Sequence, residues 1–230
     1  MAMIDGPRVP PASGRPAKQL VIFAHGYGSN GDDLIGLAGY LAQDLPDAAF
    51  ASPNAPQPLP GYPGGAYQWF GLANMDLNII AQGARAAAPV LDAFIDAELA
   101  RLGLTAADCA LVGFSQGTMM ALHVGLRRAE ALGAVVGFSG LLAGAETLGA
   151  ELKSRPPILL AHGDRDDRVP IRALFETTHA LAAAQTPAMW RITPGSGHTI
   201  PEDALELAGL FLRDAFAGKF AGWAGPVGRP

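Results

Sequence analysis

Six short apolar runs punctuate this chain: Leu20–His25, Ala48–Pro53, Cys109–Phe114, Gly133–Ser139, Pro157–Gly163 and Ala188–Gly195. Continuous apolarity, as opposed to strict alternation, predicts strands buried on both faces. Between the runs, apolar residues recur at helical spacing and predict helices over Asp32–Asp44, Asn78–Leu102, Gln116–Ala131, Pro170–Gln185 and Pro201–Ala217. Strands alternating with helices predict an α/β fold, a mostly parallel sheet flanked by helices on both faces. The stretch from Ser52 to Gly71 breaks the rhythm with proline, glycine and aromatics and reads as a long surface loop. Residues 1–18 and 218–230 are rich in glycine and proline and read as a flexible leader and a flexible tail, leaving residues 19–217 as one domain.

The hinge between the third run and the helix after it is the most informative position. There, Gly113-Phe114-Ser115-Gln116-Gly117 places a hydroxyl between two dry elements. A Gly-x-Ser-x-Gly pentapeptide recurs often by composition alone, but a strand before it and a helix after it make a nucleophile elbow. The glycines remove side chains that would collide where strand and helix approach. The bland alternative is a helix N-cap serine with packing glycines. Ser139 lacks the second glycine and Ser196 has no elbow pattern, so both read as loop residues. Cys109 points into the core by alternation.

A serine hydroxyl needs a base. Of the five histidines, His123 lies inside a helix, His179 on a helix surface, and His25 and His162 at strand ends where they brace loops. His198, in Pro194-Gly195-Ser196-Gly197-His198, sits in a loop after the last strand, at the sheet edge that carries the elbow. The orienting carboxylate is expected between Ser115 and His198 in chain order, and the loop after Ala161 offers Asp164, Asp166 and Asp167. At most one of the three is needed; the others belong to a solvated acidic turn. Two backbone N–H groups should hold a developing oxyanion: that of Gln116, from the elbow, and that of Tyr27, in the loop after the first strand.

Composition narrows the class. The chain has 230 residues, half of them apolar and 16% charged, with a formal net charge of −5. That excludes a disordered chain and offers no footprint for nucleic acid or anionic lipid. No stretch is long and apolar enough for a membrane span, and there is no secretory h-region. One cysteine forms no intrachain disulfide, which fits a reducing cytoplasm. No spacing matches a metal site, so no metal is expected. The sequence does not fix the oligomeric state; a homodimer is compatible with it.

Together, "HGYGSNGDDL", "ASPNAPQPLP", the Trp69-Phe70 pair, "VGFSQGTMMAL", "FSGLL", "HGDRDDRVP" and "GSGHTIP" resemble, in order, the blocks of the phospholipase/carboxylesterase family of α/β-hydrolases. The resemblance runs from about Leu20 to Phe216. It implies an α/β-hydrolase fold without a large cap domain and a cofactor-free hydrolase of carboxylic esters. It also implies a triad of Ser115, Asp166 and His198, with Tyr27 and Gln116 as oxyanion donors. The expected preference is for short- to medium-chain esters, with longer-chain thioesters or lysophospholipids as the alternative. A serine peptidase and a binding protein that has lost its chemistry are the rivals. Tyr62, Trp69, Phe70, Leu141 and Val169 are candidate pocket residues, or else local core. Where the family usually carries an acid after the Trp-Phe pair, this chain has Gly71.

Overall fold

The computed structural model describes residues 4–61, 65–72 and 75–222. Its central sheet contains β1 (Arg8–Val9), β2 (Gln19–Ala24), β3 (Ala48–Ala51), β6 (Cys109–Phe114), β7 (Ala134–Phe138), β8 (Ile158–Gly163) and β9 (Met189–Thr193), in the order β1-β3-β2-β6-β7-β8-β9. Every neighbouring pair is parallel except β1 with β3. The helices are α1 (Gly31–Ile35), α2 (Ala38–Leu41), α3 (Leu77–Leu102), α4 (Gln116–Gly125), α5 (Leu148–Glu151), α6 (Arg172–Ala183) and α7 (Glu202–Phe216).

Alternation along the strands splits the core into two layers. Leu20, Ile22, Cys109, Leu111, Ile158 and Leu160 face α3, α4 and α6. Val21, Phe23, Ala110, Val112, Leu159 and Ala161 face α1, α2 and α7. Both faces are therefore dry, which is why the runs are continuously apolar. All five strands of the run β2, β3, β6, β7 and β8 are buried almost throughout. The sixth run differs. As the sheet edge, β9 exposes Met189 and Trp190, and Trp190 meets Phe175 of α6 edge-on at 6.3 Å.

Three departures from the sequence reading have clear causes. Residues 4–18 are tied down along much of their length. β1 pairs with β3, Ser52 N–H donates to Pro7 C=O, and Asn54 N–H donates to Asp5 C=O. Arg8 also donates to the buried carboxylate of Glu98 at 2.8 and 3.0 Å, so an ion pair anchors what composition makes look loose. The second departure is at Gly36 and Leu37, which interrupt the expected helix after the first strand and give two short helices. Lastly, the loop from Ser52 to Gly71 contains a small hairpin, β4 (Gln57–Pro58) with β5 (Tyr67–Gln68), and delivers Trp69 and Phe70 to the core.

Candidate active site

β6 ends at Phe114 and α4 begins at Gln116, so a single residue makes the turn. Ser115 has φ 54° and ψ −115°, a left-handed backbone that costs a non-glycine residue about 1–3 kcal/mol. The flanking glycines explain how the turn closes. A Cβ on Gly113 would lie 2.4 Å from Gly117 C=O oxygen, and one on Gly117 would lie 1.8 Å from that of Ala24. No side chain fits either place.

Ser115 Oγ lies 3.0 Å from His198 Nε2, and His198 Nδ1 lies 2.8 Å from Asp166 Oδ2. His198 comes from the loop between β9 and α7, and its ring packs against Phe114 at 4.9 Å. Asp166 comes from the loop after β8. Its other oxygen accepts N–H bonds from Arg168 at 2.9 Å and Val169 at 2.8 Å. Burial pushes this carboxyl upward; the bonds from His198, Val169 and Arg168 outweigh it and hold it below the usual carboxylate range. Asp166 is thus an ionised carboxylate aimed at an imidazole that faces a hydroxyl.

The other aspartates of the loop have different employments. Asp164 accepts from Gly195 N–H at 2.6 Å and ties its loop to the one bearing His198. Asp167 is exposed, and Arg168 lies 3.9 Å from it. Three of the remaining histidines brace backbone, while His179 stands exposed on α6. His25 accepts from Ala55 N–H through Nε2 and donates to Gly26 C=O through Nδ1; burial lowers its pKa, so it is neutral. His123 donates to Ala143 C=O, and His162 donates to Val169 C=O. Cys109 is buried, and desolvation pushes its thiol up to about 12, which leaves it inert. Ser139 is buried and its Oγ donates to Thr199 C=O.

The loop after β2 presses against the elbow. A Cβ on Gly26 would lie 3.4 Å from Ser115 Cβ. Tyr27, next in the chain, has an N–H that donates to no acceptor among the described residues. The first N–H of α4, on Gln116, has no intrahelical acceptor by its position. Among the described residues neither candidate donor is therefore given an acceptor.

A cleft of about 620 Å³ opens over the pair Ser115 and His198, lined also by Tyr27, Leu72, Met75, Met119 and Val169, with Asp167 and Arg168 at its edge. Of the four pocket candidates among the described residues, Trp69, Phe70, Leu141 and Val169, only Val169 lines it. Trp69 is fully buried, with its indole N–H donating to His25 C=O. Phe70 is buried beneath α3, where Gly83 leaves room for its ring. Leu141 is buried in the core layer under α3 and α4. Tyr62 lies outside the described residues. The lining residues Leu72, Met75 and Met119 were not singled out in the sequence. Met119 had a signal, since it lies one turn after Ser115 in α4; Leu72 and Met75 had none. Gly71 is exposed, and among the described residues nothing lies within 4 Å of where its Cβ would be.

A phospholipase/carboxylesterase family model matches residues 8–215. Acyl-protein thioesterase 1 of Saccharomyces cerevisiae is 31% identical over 221 residues, covering 88% of this chain and 95% of the relative. Esterase YpfH of Escherichia coli is 27% identical over 199 residues, covering 86% and 84%. The crystal structure of esterase PE8 superposes with a TM-score of 0.88 at 46% identity, covering 93% of this chain and all of that one. An α/β-hydrolase fold, a serine elbow and a match over nearly the whole length lead to one conclusion: this chain is a carboxylic ester hydrolase and belongs to the phospholipase/carboxylesterase family.

Proposed function

We propose that the protein hydrolyses short- to medium-chain acyl esters through an acyl-enzyme on Ser115. The observation that carries this reading is the continuous line from Asp166 through His198 to Ser115, at 2.8 and 3.0 Å. His198 Nε2 takes the Ser115 proton as Oγ attacks the ester carbonyl carbon. The oxygen that becomes negative accepts from the N–H groups of Tyr27 and Gln116. The tetrahedral intermediate collapses, the C–O bond breaks, and His198 protonates the departing alkoxide. Water then attacks the acyl-enzyme with His198 as base, releasing the acid and restoring Ser115.

The cleft supports the chain-length preference. Its apolar wall of Leu72, Met75, Met119 and Val169 suits an acyl chain. A series of p-nitrophenyl esters is expected to give the highest kcat/KM between C2 and C8, falling toward C16. A second reading is hydrolysis of long-chain thioesters or lysophospholipids, and the name of the yeast relative, an acyl-protein thioesterase, favours its thioester part. A palmitoylated peptide or lysophospholipid hydrolysed with higher kcat/KM than the C4 ester selects that reading. We place the activity in the cytoplasm, a reading supported by the single, buried cysteine; among the described residues no helix is long and apolar enough to cross a membrane.

The oxyanion donors are backbone groups, so the informative pair of variants is Tyr27→Phe and Tyr27→Pro. The phenylalanine variant keeps the N–H and is expected to keep most activity. Proline deletes it, and kcat is expected to fall roughly 10²–10³-fold. The comparison is read once circular dichroism has shown both variants folded. Equal, mild losses in the two move the donor to another residue.

A further inference from the structure

The side chain of Gln116 points away from the cleft, and is fully buried. Its Oε1 accepts from Trp69 N–H at 2.9 Å, and its Nε2 donates to Phe70 C=O at 2.8 Å. The primary amide thus pairs with backbone as a strand would, 47 residues away in sequence. Trp69 turns its own indole N–H to His25 C=O at 2.9 Å. That carbonyl belongs to the residue just before Gly26 and Tyr27. It also packs on the start of α4, since a Cβ on Gly117 would lie 2.8 Å from it. Two further bonds tie the same segments: Gly28 N–H donates to Tyr67 C=O, and Tyr67 N–H donates to Ser29 C=O.

The segment Tyr67–Phe70 therefore bridges the two places from which the candidate donors come. One end of the bridge holds the loop of Tyr27, through His25, Gly28 and Ser29. The other holds the first residue of α4, through the amide of Gln116. A donor pair works only if its spacing is fixed before charge develops. An indole held in a dry core and an amide bonded at both ends are rigid struts, because each lost bond strands a buried polar group.

We infer that Trp69 and the Gln116 side chain are positioning residues that set the distance between the Tyr27 and Gln116 N–H groups. The inference rests on the reading of Ser115 as nucleophile. Neither side chain touches substrate, since Trp69 and Gln116 are both fully buried. Their effect reaches the reaction through the backbone donors alone. Transition-state binding should suffer and ground-state binding should not.

The test uses Gln116→Met, which keeps the length and loses both bonds, and Trp69→Phe, which keeps an aromatic ring and loses the indole N–H. Steady-state kinetics on p-nitrophenyl butyrate are measured beside the Ki of a butyl trifluoromethyl ketone, whose serine adduct carries the oxyanion. We expect kcat to fall about 10–100-fold in each variant, KM to change less than about three-fold, and Ki to rise in step with the loss in kcat/KM. Gln116→Met is expected to melt lower, because it strands Trp69 N–H. Trp69→Phe strands only a carbonyl, so it carries the test if the methionine variant does not fold. Folded variants with wild-type kcat and Ki overturn the inference, as does a loss confined to KM, which would make the bridge merely a support for the cleft wall. A wild-type protein that hydrolyses no ester and takes up no ketone defeats the underlying nucleophile reading instead, and so is told apart.

Discussion

Ser115→Ala is expected to lower kcat/KM toward p-nitrophenyl butyrate by roughly 10⁴–10⁶-fold without lowering the melting temperature. The variant loses one oxygen from a half-buried elbow, and that oxygen's interaction in the free enzyme is with His198. No core contact goes with it. The residual rate would come from binding and from the backbone donors, which remain. Ser115→Gly sharpens the prediction. At φ 54° the native residue is strained, and glycine accepts that backbone freely. The relief exceeds the extra chain entropy of glycine by about 1 kcal/mol, so this dead variant is expected to melt about 2–4 °C above the wild type. An elbow that holds a nucleophile at a cost in stability predicts that combination; a plain N-cap serine predicts the reverse. A sulfonyl fluoride should label Ser115 alone. A label on Ser139 or Ser196 would reassign the nucleophile, though Ser139, also at positive φ, is buried and already bonded to Thr199 C=O.

The elbow was legible because local sequence dictates it. A dry strand, two glycines and a dry helix admit few backbones, and β6 begins and ends where its apolar run does, at Cys109 and Phe114. The three triad candidates lie on loops that leave the same sheet edge, so topology brings them together once the strand order is known. What could not be read depends on pairings across long separations. Arg8 holds the leader through Glu98, 90 residues on, and nothing in the first 18 residues signals it. Trp69 looks like a pocket aromatic until its N–H is seen bonded to His25 C=O. Nothing local signals that the Gln116 side chain, beside the serine, lies wholly inside. The β9 run reads as buried because its composition does; only its place as the last strand of the sheet exposes Met189 and Trp190.

The carboxylate of the triad was the choice least settled by the residues alone, and it yields the second large prediction. Asp166→Asn is expected to lower kcat about 10⁴-fold while the fold is retained. The reason is geometric. Asp166 Oδ1 accepts from Arg168 and Val169 N–H, so an asparagine would keep its carbonyl oxygen there. Its amide nitrogen would then face His198 Nδ1 and donate to it. Nδ1 would become the acceptor, the ring proton would move to Nε2, and the atom beside Ser115 would no longer take a proton. The wrong tautomer is installed by the very bonds that hold the loop. Asp164→Asn is expected to cost activity far less, but to melt lower, because it weakens the bond to Gly195 N–H that joins the two loops. Asp167→Asn, at an exposed position, is expected to stay within about two-fold of the wild type. Stability adds a pH signature. The Asp166 carboxyl is held below its ordinary range in the folded protein, so its contribution is present above the unfolded value of about 4 and is lost as pH falls through the folded one. The stability gap between wild type and Asp166→Asn should therefore narrow as the pH is lowered below about 4. Kinetics of the three asparagine variants, with melts of Asp166→Asn from pH 7 down to 3, decide the matter: a crippled Asp167→Asn beside a nearly normal Asp166→Asn would shift the acid by one residue.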